Sequence, residues 1–251
     1  MPLKLMRNMF GRAPAWSVPQ GERVYAVGDI HGRLDCLEAL LPLIEADDSS
    51  RGPADTTFVF LGDLVDRGPD SSGVVQRLLE FSRGPRRTRF LLGNHEEVFL
   101  RALTGDSKAT RYFARIGGRE TILSYGFEEA EYQGLDYDEV TRLLLERVPQ
   151  EHVEFLKSFE DQIEIGDYLF VHAGIRPDVP LDEQTRGDLR WIREDFLNHR
   201  QSFGKMVVHG HTITEEVEVR SNRIGIDTGA FSTGRLTAIG LEGTERWFLS
   251  T

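Results

Sequence analysis

Arg89-Phe90-Leu91-Leu92-Gly93-Asn94-His95-Glu96 runs from an apolar strand straight into a turn of glycine and polar residues. The same design occurs twice upstream. Val24–Val27 leads into Gly28-Asp29-Ile30-His31-Gly32, and Thr57–Leu61 leads into Gly62-Asp63-Leu64-Val65-Asp66-Arg67-Gly68. An amphipathic helix is predicted after each motif. Leu34, Leu37, Leu41 and Ile44 recur at helical spacing; Val74, Val75, Leu78 and Leu79 make a buried face behind a Ser71 or Ser72 cap; a third helix covers about 96–103. Pro42 should kink or split the first helix. Three strand–motif–helix units with nearly all-apolar strands indicate a sheet covered on both faces. Ligands in such sheets bind beyond the carboxyl ends of the strands, where each motif falls.

Outward from these units the pattern changes. Tyr112–Leu123, Tyr137–Arg147 and Glu151–Phe159 read as helices and hold none of the motif residues, so about 104–160 is expected to be a helical insertion or cap. Strands then return. Gln162–Ile165 and Tyr168–Val171 flank a Gly166-Asp167 hairpin turn. Lys205–Val208, Val217–Arg220, Arg223–Ile226, Leu236–Leu241 and Glu245–Leu249 follow. Two further motifs lie here, Val171-His172-Ala173-Gly174 and His209-Gly210-His211. Residues 1–20 are expected to form a loose arm that docks Leu5, Met9 or Phe10 on the body, and 21–251 a single domain.

The chain of 251 residues can bury a full core. No run approaches the roughly 20 apolar residues that cross a bilayer, and the first residues lack the apolar block of a signal peptide. Cys36 is the only cysteine, which excludes an internal disulfide and fits a reducing, cytoplasmic setting; it is expected to be a small core residue. The formal net charge of -11 argues against a nucleic-acid-binding surface. It leaves phosphate substrates open, since bound cations reverse the local sign. The arginines at 83, 86, 87 and 89 precede a strand, so they are expected on the face away from the motifs.

The motif residues point to metals and phosphate. Asp29 and His31 alternate in a glycine-flanked turn and can point into one cavity. Asp63 can bridge two cations through its two oxygens. Asn94 offers a neutral oxygen, and His172 and His211 offer nitrogens. Oxygen and imidazole without thiolate suit Mn²⁺, Fe or Zn²⁺. A pair of cations about 3.5–4 Å apart would share a water, lower its pKa and aim it at phosphorus. Arg67 can grip a phosphate oxygen bidentately, and Arg193 is a candidate second clamp. His95 can protonate the departing oxygen, with Asp66 orienting the imidazole. An isolated Asp or His in such a turn is ordinarily a turn residue or a cap; the ordered set is what favours chemistry.

The five motifs, spanning Gly28 to His211, resemble those of the PPP-type serine/threonine phosphoprotein phosphatases within the calcineurin-like metallophosphoesterase superfamily. Ile226-Asp227-Thr228-Gly229-Ala230 resembles the strand that closes the core in compact bacterial and phage members; Asp227 itself is expected to support the loop. The resemblance implies an α+β fold: a central β-sandwich of two mixed sheets flanked by helices, rather than a doubly wound sheet. It implies Asp29, His31 and Asp63 on one metal, and Asp63, Asn94, His172 and a late histidine on the other, with Mn²⁺ first among the candidates. Alignment as Gly-His-Thr favours His211 over His209. Arg67 and Arg193 would bind phosphate, and His95 with Asp66 would form the general acid. Diadenosine tetraphosphate hydrolases of the superfamily typically have Ala at the position of Asp66 and Asp at that of Glu96. The expectation is therefore a dinuclear phosphomonoesterase acting on phosphorylated protein. Dinucleoside polyphosphate or nucleotide hydrolysis is the alternative, and an inactive binding protein of this fold is the remote one.

Overall fold

The computed structural model describes residues 16–251. Ten strands form two five-stranded sheets. In chain order they are β1 Glu22–Val27, β2 Asp55–Phe60, β3 Arg87–Phe90, β4 Gln162–Ile165, β5 Tyr168–Val171, β6 Met206–His209, β7 Glu218–Val219, β8 Arg223–Gly225, β9 Thr237–Glu242 and β10 Glu245–Ser250. The first sheet has the order β10-β9-β1-β2-β3, the second β4-β5-β6-β8-β7. Each contains three mutually parallel strands, β1-β2-β3 and β5-β6-β8. Antiparallel partners complete both sheets.

Alternation along the strands explains the layering. Val24, Ala26, Val59 and Leu61 point inward and meet Phe170, Val208 and Ile224 of the second sheet in one cluster. Tyr25, Val27, Phe58 and Phe60 point outward and pack under helices α1 Leu34–Ser50, α2 Ser71–Ser82 and α3 Asn94–Ala102. Leu169, Val171 and Val207 face the other way, onto Leu189, Ile192 and Phe196 around the short helices Arg186–Trp191 and Glu194–Leu197. The sandwich flanked by helices is the arrangement expected.

Several local expectations are corrected. α1 runs through Pro42 without splitting. Pro42 and Glu38, whose carbonyl loses its partner, are both exposed, while Leu37, Leu40, Leu41 and Ile44 are buried and hold the helix to the sheet. The cap of α2 is Asp70, which accepts from the Gly73 N–H, because Ser71 is turned toward Asp66. The helix expected at 112–123 is broken: Ser107–Phe113 and Arg119–Ser124 are separated by a π-helical turn in which Gly117 has φ 119°. The insertion shares the first core, since Phe113, Ile122, Tyr125, Val140 and Leu144 join the cluster containing Phe99 of α3. Of the proposed arm, 1–15 lie outside the described residues, with Leu5, Met9 and Phe10 among them. Ser17–Gln20 is not loose: Val18 is buried and its N–H donates to Gly243, while Asp167 bonds both the N–H and hydroxyl of Ser17. Among the described residues no helix is long and apolar enough to cross a membrane.

Arg23, one residue before the expected first strand, is 1% exposed and binds Asp48 (2.7 Å) and Glu242 (2.9 Å), joining β1 to the end of α1 and to β9. Removing one partner strands the other charge in a buried setting. Arg23→Ala should lower unfolding free energy by about 3–5 kcal/mol in a urea titration; a loss below about 1 kcal/mol would show the network to be solvated.

Candidate metal and phosphate site

The six parallel strands deliver the site. Just past their carboxyl ends lie Asp29 and His31 (β1), Asp63 (β2), Asn94 (β3), His172 (β5), His211 (β6) and Asp227 (β8). All are buried. Oδ2 of Asp63 is the hub, 3.6 Å from His31 Nε2, 3.9 Å from His95 Nε2 and 3.4 Å from His172 Nε2. Two groups of donor atoms, each within 4.8 Å of one another, share this carboxylate: His31, Asp63 and His95, and Asp63, His172 and His211. Asn94 Oδ1 lies 3.0 Å from His172 Nε2, within the second group.

Tautomers are set from outside. His31 Nδ1 donates to the Val65 carbonyl and His172 Nδ1 to that of Leu61, both at 2.8 Å, so each Nε2 lone pair points inward. His95 Nδ1 donates to Asp66 Oδ2 at 2.5 Å. Arg67 spans the centre, donating to His31 Nε2 and His95 Nε2, each at 2.9 Å. Arg193 is exposed, and its charge helps to lower the His211 pKa.

The chain is held under strain here. Among the described residues six non-glycine residues have left-handed φ, and five belong to this site: His31, Asp63, Asp66, Arg67 and His211. Such conformations cost on the order of 1–3 kcal/mol each and persist only where surroundings enforce them. The motif glycines therefore do more than supply positive φ. A Cβ on Gly93 would lie 2.2 Å from Asp63 Oδ1, and one on Gly210 would lie 2.0 Å from Asp29 Oδ1.

Electrostatics favour cations. Burial, then Asp227 and Asp63, raises the Asp29 carboxyl well above its usual range. Burial lowers His31 to about 3, and burial with His172 lowers His211 to about 2, so these imidazoles are neutral and can ligate. Asp63 is held well below the usual range: burial opposes this, but His172 and His95 outweigh it. Asp29 Oδ1, His211 Nε2 and Asp227 Oδ2 are buried without a hydrogen-bond partner. Crowded carboxylates, inward imidazole lone pairs and unpartnered oxygens fit divalent cations.

The calcineurin-like phosphoesterase family pattern matches residues 22–228. The chain belongs to this family. Curated relatives include the asymmetrical bis(5'-nucleosyl)-tetraphosphatases PrpE of Anoxybacillus flavithermus, 26% identical over 85% of this chain and 88% of that one, and of Bacillus velezensis, 28% identical over 84% and 86%. A crystal structure with the provisional assignment diadenosine tetraphosphatase superposes with a TM-score of 0.64 at 24% identity, covering 92% of this chain and 94% of that one. The cold-active protein-tyrosine phosphatase of a Shewanella species gives 0.54 at 20% identity, covering 93% and 83%. The metallophosphoesterase superfamily reading stands, whereas the two curated relatives are named as tetraphosphatases rather than serine/threonine phosphatases.

The structure brings together Asp29, His31, Asp63, Asp66, Arg67, Asn94, His95, His172 and His211. Asp29 lies outside the first group, where His95 stands instead; its Oδ2 accepts the His211 N–H at 3.0 Å. His209 turns away toward Phe196, and burial lowers it to about 4. Asp227 supports its loop as expected, its Oδ1 accepting the Gly229 N–H at 2.9 Å, and its charge also bears on Asp29. The arginines expected away from the site are paired: Arg83 with Glu151, Arg86 with Glu45 and Asp48, Arg87 with Asp55, and Arg89 with Glu160. Two contributions carried no sequence signal. Thr121, in the insertion, accepts the Asp66 N–H and donates to Asp66 Oδ1, and the Gly117 carbonyl accepts the Arg67 N–H.

Glu96 was legible only as a helix-start residue and subfamily marker. Its Oε1 accepts the N–H groups of Leu64 and Val65, and its Oε2 those of Asp63 and Gly93. Burial and then Asp63 push its pKa up to about 7, yet four donors fit the ionised form. Glu96→Gln turns an amide N–H₂ toward two N–H groups. We expect a loss of about 2–4 kcal/mol in stability and, through displacement of Asp63, on the order of 100-fold in phosphatase turnover. A variant within 1 °C of the parent Tm and of equal turnover would remove Glu96 from this role.

Proposed function

We propose that this phosphoesterase hydrolyses dinucleoside polyphosphates, with Asp29, His31 and Asp63 holding one divalent cation and Asp63, Asn94, His172 and His211 the other. Mn²⁺ is the first candidate, and Fe or Zn²⁺ fits the same donors. The observation that carries the substrate class is alignment along most of both chains with the bis(5'-nucleosyl)-tetraphosphatases. The lone cysteine, Cys36, is buried and free, in keeping with a cytoplasmic setting.

Bound cations would supply an activated water and positive charge facing the phosphoryl oxygens. Arg67, Arg193 and Asn94 bind those oxygens and set the phosphorus in line. His31 and His172 keep their Nε2 atoms turned inward because their Nδ1 protons are committed to backbone carbonyls. His95 is placed to give a proton to a leaving oxygen that needs one, as a departing alkoxide does. Burial pulls its imidazole down, but Asp63 and Asp66 outweigh burial and hold it above its ordinary value. Water adds across the P–O bond: its hydroxyl goes to phosphorus, and its remaining proton goes to an alkoxide leaving group or, where a nucleotide phosphate departs as the anion, to solvent.

Asp66 and Glu96, which leaned the sequence reading toward protein substrates, are both 0% exposed. One holds His95 and the other holds backbone, so neither is placed to touch the body of a substrate. The Asp66–His95 pair does favour a second reading, hydrolysis of phosphomonoesters. A departing alkoxide needs a proton, whereas a departing nucleotide phosphate, with a second pKa of about 6, leaves without one.

Chelation should abolish turnover, and Mn²⁺ should restore it to the parent but not to Asp63→Asn, with diadenosine tetraphosphate preferred over phosphopeptides in kcat/KM. Preference for phosphopeptides would overturn the substrate class; activity untouched by chelator would overturn the metal site. Asp66→Asn should cut kcat by about 100-fold on alkyl phosphates and under about tenfold on p-nitrophenyl phosphate or diadenosine tetraphosphate. Equal losses on all three would deny His95 the acid role.

A further inference from the structure

Asp227 is held between the ends of β1 and β6. The Ile226 N–H donates to the His209 carbonyl at 3.0 Å, two residues before His211. Gly28 packs so tightly on Ile226 that a Cβ on it would lie 2.6 Å from the Ile226 carbonyl oxygen. Asp29 and Asp227 are the next residues on either side of that contact, and after burial Asp227 is the largest influence on the Asp29 carboxyl. Asp227 is 2% exposed. Its carbonyl accepts the Thr214 N–H at 3.0 Å and its Oδ1 the Gly229 N–H at 2.9 Å. The carboxylate is thus pinned through one oxygen, and the other, Oδ2, is buried with no partner.

Asp29 shows the same division. Its Oδ2 accepts the His211 N–H at 3.0 Å, while Oδ1 is buried without a partner. Two neighbouring carboxylates therefore each keep one oxygen unsatisfied at depth, where a lone acceptor is costly. Among the described residues no side-chain cation bonds them: Arg67 bears on both charges, but its guanidinium donates to His31 and His95. Loop support needs only Oδ1 of Asp227, so Oδ2 is left to be explained. The donors are also unevenly shared. Asp29, His31 and Asp63 serve one cation, and Asp63, Asn94, His172 and His211 the other, so the first leaves more of its shell to water. Asp227 enters neither group of donor atoms lying within 4.8 Å of one another, so its reach to a cation is through water.

We propose that Asp227 is a positioning residue of the metal site: through a bridging water, its free Oδ2 supports the cation held by Asp29, His31 and Asp63. The proposal rests on the dinuclear reading of the site and adds a carboxylate to the cation with fewer donors.

Asp227→Asn keeps an oxygen for the Gly229 N–H and places an N–H₂ where Oδ2 stands, so loop support survives and the free acceptor is lost. The measurement is Mn²⁺ binding to the full chain, followed by the EPR signal of the free ion. The parent should bind a pair of Mn²⁺ ions. In Asp227→Asn one Kd should rise about tenfold and the other stay within about twofold. Asp227→Ala, which loses both oxygens, should weaken the same cation at least as much, and it carries the measurement if the amide is not tolerated. In an Asp29→Asn background, with one cation left, adding Asp227→Asn should leave the remaining Kd within about twofold. The rise in Tm on adding Mn²⁺ should shrink in Asp227→Asn. If Asp227→Asn keeps both parent Kd values, or if both variants fold and only Asp227→Ala binds more weakly, Asp227 is a loop support and the proposal falls. If the Asp29→Asn background shows the same tenfold loss, Asp227 serves the other cation and the assignment is wrong. If the parent does not bind a pair of Mn²⁺ ions, the dinuclear reading fails and takes the proposal with it.

Discussion

The carboxylate of Glu96 gathers four backbone N–H groups from two motifs that are distant in sequence. Those donors belong to the segment that carries Asp63, Asp66 and Arg67 and to the turn before Asn94 and His95. Short strands end at the sandwich seam and cannot by themselves fix the turns beyond them. One buried acceptor does so for both turns. Backbone donors left unpaired at that depth would each cost on the order of 1–3 kcal/mol. The left-handed conformations at Asp63, Asp66 and Arg67 are sustained by this anchor, with Thr121 and Gly117 pressing from the insertion.

A second constraint is directional. Parallel strands in each sheet send their carboxyl ends to one edge, and the face-to-face packing brings the two edges together. Donors from strands far apart in sequence therefore converge without any loop having to span the molecule. The helical insertion, between the third and fourth motifs, packs on α2 and α3 and so reaches back to Asp66 and Arg67. It braces Asp66, and through it His95, by way of Thr121.

Much of this was legible from residue order. Alternation of apolar strands with glycine-rich turns located five of the six parallel strands with their donors, and the resemblance supplied the two-sheet architecture. The sixth strand, β8, was also expected at 223–226, but Asp227 beyond it was read first as a loop support, because one Asp in a turn looks the same whether it faces a metal site or a backbone. Arg23, Thr121 and Gly117 could not be read at all. Their roles come from partners 25, 55 and 50 positions away, which no local period encodes. Pro42 misled for the opposite reason: its local cost is real, but it faces water, and burial of its neighbours decides the helix. Of the subfamily markers, Glu96 binds only backbone and so carries no information about the body of a substrate, whereas Asp66 holds His95.

The pairing of β1 with β9 has a consequence for how the molecule is assembled. β1 lies between a partner made early, β2, and one some two hundred residues downstream, while the Asp29 carboxylate meets the His211 N–H across 182 positions. A growing chain that has completed all three N-terminal motifs still presents β1 as an open edge and an uncovered inner face of Val24, Ala26, Val59 and Leu61. Ordering these distant ends together carries a high contact order and a slow closure. The two halves of the site therefore come together only when the last strands arrive, and until then the open β1 edge and its apolar inner face are the surfaces most prone to aggregation.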